Sequence, residues 1–261
     1  MDSLMIGMFR LTSFIFGLAY GSFLNVVAQR TIEGRKWWGK ERSVCESCGR
    51  TLSFMDLIPL LSYVFFKGRC RGCNAKIGIS YLLVELIMGF SMLVLAWLYG
   101  PTYAFILSFV LWSCLFLSSL TDMYSGYVYD WLVLPFLAIG LLLRVFVGWQ
   151  IFLDGILGAC ICGFLILLIM YVSKGGMGSG DAIVAAAIGG VMGAWMGCLA
   201  LYISFMCGGL TALSLLLVHK VGRKDHLPMA PFFAIGSFCT FLFGVKILAF
   251  LDISPGWPWI F

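Results

Sequence analysis

Charged residues are scarce in this chain. Only 11% of its 261 residues are Asp, Glu, Lys or Arg, whereas 62% are hydrophobic. A soluble domain carries about 25% charged residues, so the composition excludes an ordinary soluble protein. Apolar runs of about 20 residues, each long enough to cross a bilayer as a helix, recur along the chain. We therefore predict a polytopic membrane protein.

The apolar runs lack the in–out alternation of a membrane β-barrel, so we predict an all-α protein with about eight transmembrane helices. A cleavable signal peptide is not expected, because the first run is too long for a signal sequence and has no strongly basic start. The sixth predicted span is short and rich in glycine. The predicted spans cover residues 4–28, 79–99, 102–121, 131–149, 151–173, 181–194, 196–218 and 229–250.

Lysine and arginine concentrate in one set of loops. The polar segment 30–78 holds ten of the seventeen, and eight spans place Lys174, Lys220, Arg223 and Lys224 on the same side. Because Lys and Arg are enriched on the cytoplasmic face, we predict that this segment is cytoplasmic and that both termini lie outside. The net charge of +5 then reflects topology and contact with membrane lipids, and no nucleic acid is expected as a partner.

Four of the ten cysteines form two C-x-x-C pairs in the cytoplasmic segment. Such pairs point two sulfurs at one ion, and four thiolates complete a tetrahedral zinc site. Two disulfides are the alternative, which the reducing cytoplasm disfavours. A four-thiolate site has no open position for substrate, so the Zn²⁺ is predicted to be structural. The predicted ligands are Cys45, Cys48, Cys70 and Cys73.

Four acidic residues lie in or beside the predicted spans: Glu85, Asp122, Asp130 and Asp181. A charged group at membrane depth costs ~2.5–3.5 kcal/mol on insertion scales, which favours a functional interpretation. The third span ends on the cytoplasmic side near Asp122, and the sixth begins there at Asp181. The two carboxyl groups should therefore lie at one depth, where a pair that shares one proton can perform aspartic proteolysis.

Glycines precede Asp181 at positions 175, 176, 178 and 180. We interpret them as leaving room for an extended substrate backbone beside the carboxylate. A phosphate-binding loop is excluded, because the G-x-x-x-x-G-K-[ST] order is absent. Two alternatives stay open from these residues alone: a helix-start aspartate favoured by the helix dipole, and an ion-coupling carboxylate in a transporter.

The chain as a whole resembles the bacterial type IV prepilin peptidases, which are bifunctional leader peptidases and N-methyltransferases. The motif GSGD is similar to the G-x-G-D motif of intramembrane aspartyl peptidases, and the other matching stretches follow in the family's order. These stretches are GSFLNVVAQR at 21–30, the two-C-x-x-C loop at 42–77, YLLVELIMG at 81–89, TDMYSGYVYD at 121–130, GSGD at 178–181 and LPMAPFFAIG at 227–236.

The resemblance implies that Asp122 and Asp181 are the catalytic pair and that Asp130 is a helix-cap or loop residue. Family members usually have Ile-Pro before this Asn or Asp, whereas this chain has Val128 and Tyr129. We expect the missing proline to alter the turn locally without touching the carboxylate. The implied domains are a first transmembrane helix (1–29), a zinc-binding loop (30–78) and a transmembrane aspartyl peptidase domain (79–261).

The resemblance also implies substrates and a second cofactor. A prepilin or pseudopilin with a short basic leader would be cleaved after a glycine at the cytoplasmic edge of a bacterial inner membrane. The new N-terminus would then be methylated with S-adenosyl-L-methionine. No Rossmann fingerprint marks a site for that cofactor, and Glu85 and Gly89 are the candidates near it. Glu85 has an alternative role as a partner of the basic loop.

Two other classes of function compete with the peptidase. A transporter would use Asp122 and Asp181 to bind a coupling ion, and it predicts a repeat between the halves of the chain, which the sequence does not show. A zinc-stapled scaffold for pilus assembly would need no chemistry at all. Prepilin cleavage separates these classes.

Overall fold

The computed structural model describes residues 3–39, 42–173, 177–218, 227–256 and 258–259. Within these ranges, regular structure is helical apart from two isolated β-bridges. The chain forms two compact units, Met1–Pro101 and Thr102–Phe261. Lys174, Lys220, Arg223 and Lys224, on which part of the predicted topology rests, lie outside the described residues, as do Gly175 and Gly176.

The first unit contains two long helices and the segment that joins them. Helix α1 is Ser3–Ile32 and α3 is Ile79–Tyr99. A 3-10 turn at Phe54–Asp56 and the short helix α2, Leu61–Phe65, lie in the segment between them. Both long helices are apolar enough to cross a membrane.

The second unit is built from six helices. Five are long and apolar enough to span a membrane, which gives seven candidate spans in the described chain. The sixth, α7, has 14 residues and extends about 21 Å, less than the ~30 Å hydrocarbon core. The helices are α4 Tyr103–Ser125, α5 Asp130–Val147, α6 Trp149–Val172, α7 Ser179–Met192, α8 Ala194–Leu217 and α9 Ala230–Phe250. The predicted multi-pass helical architecture is confirmed, and the expected short span is α7.

Small residues bring α1 and α3 into close contact. A Cβ atom on Gly17 would lie 2.9 Å from the Cα of Gly89, and one on Gly21 would lie 2.7 Å from the Cβ of Met88. In lipid, apolar helices gain no hydrophobic driving force when they associate. Close van der Waals packing at small residues supplies the attraction instead. The first compact unit thus extends through α3 to Pro101, and the predicted division at residue 78 stays a prediction.

Helix α7 lies inside the second unit. It packs against α4, α5, α6, α8 and α9, and most of its residues are buried. Glycines allow this approach: a Cβ on Gly197 of α8 would lie 2.8 Å from the Cα of Gly189. A helix enclosed by protein does not have to match the thickness of the bilayer, which explains how a 14-residue segment fits among longer spans.

An ion pair between the buried Arg144 and the partly exposed Asp154 lies at the end of α7 that is remote from Asp181, and Arg144 Nε donates to the Val191 carbonyl of α7 at 3.4 Å. The guanidinium of Arg144 is fully buried, and its Nη1 donates to Asp154 Oδ2 at 3.0 Å and to the carbonyl of Ile151 at 2.8 Å. Asp154 Oδ1 accepts a hydrogen bond from the Ala194 amide at 3.3 Å. A buried charge is tolerated when it is paired and hydrogen-bonded. The network therefore ties the α5–α6 turn to the start of α8 and so positions α7 along its axis.

Candidate active site and metal centre

Asp122 lies in the last turn of α4. The helix ends one turn later at Gly126, which adopts the left-handed conformation (φ 72°) that favours glycine at a helix C-terminus. The Asp122 side chain is buried, and its Oδ2 accepts a hydrogen bond from the Ala230 amide of α9 at 2.9 Å. The Met229 amide also donates to this carboxyl group. The Asp122 carboxyl group, at the end of α4, is therefore held by a hydrogen bond from the start of α9.

Asp181 lies in the first turn of α7. Gly178 precedes the helix in an extended conformation, and its amide donates to Asp181 Oδ2 at 3.1 Å. The residue is 9% exposed, so its side chain is largely covered. A carboxylate in the first turn satisfies an amide that the helix itself leaves without a partner.

The tertiary structure brings these two aspartates together. Helices α4 and α7 pack against each other, and the charge of Asp122 acts electrostatically on Asp181. Two interacting carboxyl groups titrate as a unit, with one proton shared between them over a range of pH. We call Asp122 and Asp181 the aspartate pair. Such a pair can perform acid–base hydrolysis of a peptide bond when one carboxyl group is ionised and the other is protonated.

Gly180 has a packing role rather than the predicted role in substrate access. It is buried, and a Cβ atom there would lie 2.9 Å from the carbonyl oxygen of Val128 and 3.0 Å from its Cβ. Real Cβ atoms essentially never approach so closely. The missing side chain therefore lets the first turn of α7 rest on the segment before α5. Gly178, by contrast, is exposed, and a Cβ there would meet only ordinary contacts.

Asp130 is the first residue of α5 and is exposed. Its Oδ1 lies 3.4 Å from the position of a Cβ on Gly180, the residue before Asp181. The turn before it contains Val128 and Tyr129, and Tyr129 is the residue that precedes the helix, in an extended conformation. Asp130 is thus the first helical residue, and Tyr129 holds the cap position, so the expected helix-cap or loop role of Asp130 stays a prediction.

The sequence analysis missed the contribution of α9. Pro231 at the second position of that helix was a usable signal, because proline is common at helix starts. The LPMAPFFAIG stretch thus marks a helix start, but nothing in the sequence indicates that its amides bind Asp122. Only the packing of α9 on α4 provides that contact.

The four predicted zinc ligands come together in the first unit. Their sulfur atoms all lie within 4.8 Å of one another, and Cys45 and Cys73 sulfurs are 3.9 Å apart. A tetrahedral zinc ion with Zn–S bonds of about 2.3 Å places its sulfurs about 3.8 Å apart. None of the four is in a disulfide. The donor set and its spacing therefore fit a structural Zn²⁺ held by Cys45, Cys48, Cys70 and Cys73.

The two C-x-x-C pairs form matching turns. Each begins at a β-bridge, Val44 with Thr51 and Arg69 with Lys76. Each continues with an amide bonded to the first cysteine carbonyl and a residue of positive φ after the second cysteine, Gly49 (φ 69°) in one turn and Asn74 (φ 61°) in the other. The two turns together present four sulfur atoms to one ion. A short segment with a small hydrophobic core can be stabilised by such a metal site.

Backbone amides prepare the cluster for metal. The amides of Cys73 and Gly72 lower the pKa of the Cys70 thiol to about 6, because they donate hydrogen bonds to the thiolate. The thiolate is the form that binds metal. Asp56 joins the two turns, since it pairs with Arg50 at 2.8 Å and with Arg71 at 3.5 Å. The hydroxyl of Ser53 and these arginines hold the pKa of Asp56 below its ordinary value.

Glu85 connects the metal-binding segment to the helices. Its Oε2 accepts a hydrogen bond at 2.8 Å from the amide of Leu60, a residue with positive φ (61°) at the start of α2. Tyr81, one turn earlier on α3, donates to Glu46 at 2.6 Å and accepts from Gln29 of α1 at 3.1 Å. Within the part of the loop that the structure describes, Glu85 is therefore bound through the backbone amide of Leu60 and forms no ion pair with a basic side chain.

Gly89 faces α1. A Cβ atom there would lie 2.7 Å from Leu18 Cδ2, and the residue is buried. The role of Glu85 and Gly89 in binding S-adenosyl-L-methionine stays a prediction. Gly89 is covered by Leu18, so any effect of Gly89 on methylation must act through the packing of α1 on α3.

The zinc site yields a direct prediction. Metal analysis of the purified protein should find about one zinc per chain, and Cys48→Ser should lose it, because three thiolates hold the ion more weakly than four. Cys160→Ser is the matched control, since Cys160 is an exposed cysteine outside the cluster. Metal-free protein whose four cysteines prove to be oxidised to disulfides would contradict the assignment.

The fold and the site together define a class of protein. It is a multi-pass helical membrane protein with an interacting aspartate pair and a four-cysteine cluster. Two family profiles match the sequence: the Bacterial Peptidase A24 N-terminal domain at residues 15–99 and the Type IV leader peptidase family at residues 109–213. The chain belongs to the type IV leader peptidase family.

The relatives in this family align over nearly their whole length. A prepilin leader peptidase/N-methyltransferase of Bacillus subtilis (strain 168) is 33% identical over 91% of this chain and 95% of its own. Proteins of the same name from Pseudomonas putida and Aeromonas salmonicida (strain A449) are 33% and 31% identical, each over 90% of this chain. No solved structure matches the sequence.

Proposed function

We propose that this protein is an intramembrane aspartyl endopeptidase that removes the leader peptide of type IV prepilins or pseudopilins and then methylates the new N-terminus. The observation that carries the proteolytic step is the meeting of Asp122 and Asp181 at one end of the second unit. Family membership and the names of the relatives support the substrate class and the second activity.

The aspartate pair can perform both proton transfers of peptide hydrolysis. Water adds to the scissile carbonyl carbon while the ionised carboxylate takes one of its protons. The protonated carboxyl group gives its proton to the carbonyl oxygen. The tetrahedral intermediate then collapses as the carbon–nitrogen bond breaks, and the leaving amine nitrogen takes up a proton. No covalent enzyme intermediate is needed, so no nucleophilic side chain is required.

The surroundings of the pair suit an extended peptide. Gly178 is exposed next to Asp181, and a side chain there would meet only ordinary contacts. Tyr127 and Met123 are also exposed, at the end of α4 that carries Asp122. A backbone laid across Gly178 can bring its carbonyl to the carboxyl groups without steric obstruction.

The four-cysteine cluster supports a structural role for Zn²⁺. When bound, the ion supplies a cross-link between the two C-x-x-C turns and no catalysis, because four thiolates fill its coordination. The chain's own part is to hold the turns together through Asp56 and to attach them to α3 through Tyr81 and Glu85. S-adenosyl-L-methionine is proposed as the methyl donor on the basis of the relatives' N-methyltransferase name.

We propose a bacterial inner membrane as the location, with the metal-binding segment in the cytoplasm and both termini outside. Fourteen of the seventeen lysines and arginines support this orientation through the positive-inside rule. Membrane lipids are then the partners of the apolar helix surfaces. Many large apolar side chains on the long helices are exposed, as a lipid-facing surface requires.

The test is an assay with a complete prepilin. Purified wild-type protein in detergent should shorten the prepilin by its leader. With added S-adenosyl-L-methionine, the mature product should gain the mass of one methyl group. A transporter or a scaffold predicts an unchanged prepilin. A shortened but unmethylated product would keep the peptidase and remove the methyltransferase activity from the proposal.

A further inference from the structure

We propose that the start of α9 fixes the division of labour within the aspartate pair, so that Asp122 is the ionised base and Asp181 carries the proton. This inference rests on the proposed function. It goes further by assigning each carboxyl group one step and by identifying the Ala230 and Met229 amides as the groups that decide it.

The start of α9 has backbone donors that the helix cannot satisfy. Phe232 and Phe233 amides bond to the Met229 carbonyl at 3.0 and 3.1 Å, and Pro231 has no amide hydrogen. The Ala230 amide therefore remains, and Ala230 is fully buried, so water cannot serve it. Asp122 Oδ2 accepts that hydrogen bond at 2.9 Å. Asp122, from another helix, thus completes the start of α9.

This environment favours a negative charge on Asp122. Two backbone amides, those of Ala230 and Met229, donate to its carboxyl group. Hydrogen bonds to the charged form stabilise it, and the N-terminus of a helix adds the positive end of its dipole. Asp181 also lies in the first turn of a helix, but the amide that donates to it belongs to the exposed residue Gly178, whereas the Ala230 amide is buried.

The surroundings of Asp181 stabilise a negative charge less than those of Asp122. Among the described residues, one backbone amide, that of Gly178, donates to its carboxyl group, at 3.1 Å. The charge of Asp122 on α4 acts on this carboxyl group, whereas Asp130 Oδ1 at the start of α5 lies 3.4 Å from the position of a Cβ on the preceding residue, Gly180. An ionised Asp122 repels a second charge, so Asp181 keeps the proton. In hydrolysis, Asp122 then takes the proton from water and Asp181 donates to the carbonyl oxygen.

The first test labels the wild-type protein with two reagents, one that reacts with ionised carboxylates and one that reacts with protonated carboxyl groups. A small epoxide is opened by an ionised carboxylate, which forms an ester as the ring oxygen takes a proton. A diazo ester reacts with a protonated carboxyl group, which gives its proton to the diazo carbon and then replaces dinitrogen. Peptide mass spectrometry should find the epoxide on Asp122 and the diazo product on Asp181. The reverse pattern, or equal labelling, would overturn the assignment.

The second test removes the amides. Ala230→Pro and Met229→Pro each delete one donor at a helix start, where proline is tolerated. Each should move the acid limb of the pH profile of prepilin cleavage upward by about one pH unit, because a hydrogen bond to a charged group is lost. The basic limb, which reports Asp181, should move less. Ala230→Gly keeps the amide, so its acid limb should stay in place.

The outcomes separate this inference from the proposed function. An unmoved acid limb in both folded proline variants would overturn the role of α9, even if Asp122 and Asp181 are both essential. Cleavage that survives Asp→Asn at either position would instead remove the catalytic pair itself. The labelling of wild-type protein decides the assignment if the proline variants do not fold.

Discussion

Asp122→Asn and Asp181→Asn should each reduce the rate of prepilin cleavage by at least about 10³-fold. The physical reason is that proton transfer by a positioned acid or base contributes up to about 10⁴-fold to a rate. Asparagine keeps the shape of the side chain and its oxygen acceptor. The hydrogen bonds from Ala230 and from Gly178 can therefore persist, and the fold should survive. What is lost is the exchange of a proton.

The double variant is the more informative measurement. The two carboxyl groups act as a unit, so removing both should be little worse than removing one. Asp130→Asn serves as the control: Asp130 lies beside the pair, is exposed and starts α5, so its replacement should cost much less. Rates should be measured on purified, folded protein. Substantial cleavage by folded Asp181→Asn would refute the assignment.

Gly180→Ala should reduce the kcat/KM of cleavage by about 100-fold, because a shift of about 1 Å in a catalytic group can cost this much. The new methyl group would meet the Val128 carbonyl at 2.9 Å, and backbone cannot swing aside as a long side chain does. The first turn of α7 must therefore move, and Asp181 moves with it. Overpacking should also lower the free energy of unfolding, by about 1–3 kcal/mol.

Gly178→Ala is the matched control for this experiment. Its φ of −78° and ψ of 151° suit alanine, and its Cβ would lie 3.6 Å from Asp181 Oδ2, an ordinary contact. Thermal stability should stay at the wild-type value. A rise in KM without a loss of stability would show that the substrate passes Gly178. Equal loss of stability in both variants would contradict the packing role that we assign to Gly180.

The metal cluster was predictable because its information is local. A C-x-x-C pair dictates a tight turn, and two pairs leave few ways to arrange four sulfurs around one ion. The sequence did not reveal how the cluster is attached. The contacts of Tyr81 with Glu46 and of Glu85 with the Leu60 amide join residues 35 and 25 positions apart. Such pairs depend on how α3 and the loop fold back on each other.

The glycines near Asp181 show where sequence reasoning stops. Both Gly178 and Gly180 fit an interpretation based on substrate access, because a missing side chain looks the same in a sequence whatever occupies the space. In the structure, Val128 occupies the space at Gly180, whereas a Cβ on the exposed residue Gly178 would meet only ordinary contacts. Whether a glycine is needed for packing depends on which residue lies against it, and the sequence does not show that neighbour.

The sequence by itself determined the helical membrane class, the short helix α7 and the grouping of the four cysteines, because each follows from composition, periodicity or spacing along the chain. The catalytic role of Asp122 and Asp181 stays a prediction. The tertiary structure alone decided that Gly180 rests on Val128, that Arg144 and Asp154 fix the far end of α7, and that the start of α9 binds Asp122. Ala230 and Asp122 are 108 residues apart. Their contact exists because buried amides need acceptors, and which acceptor they find is set by packing.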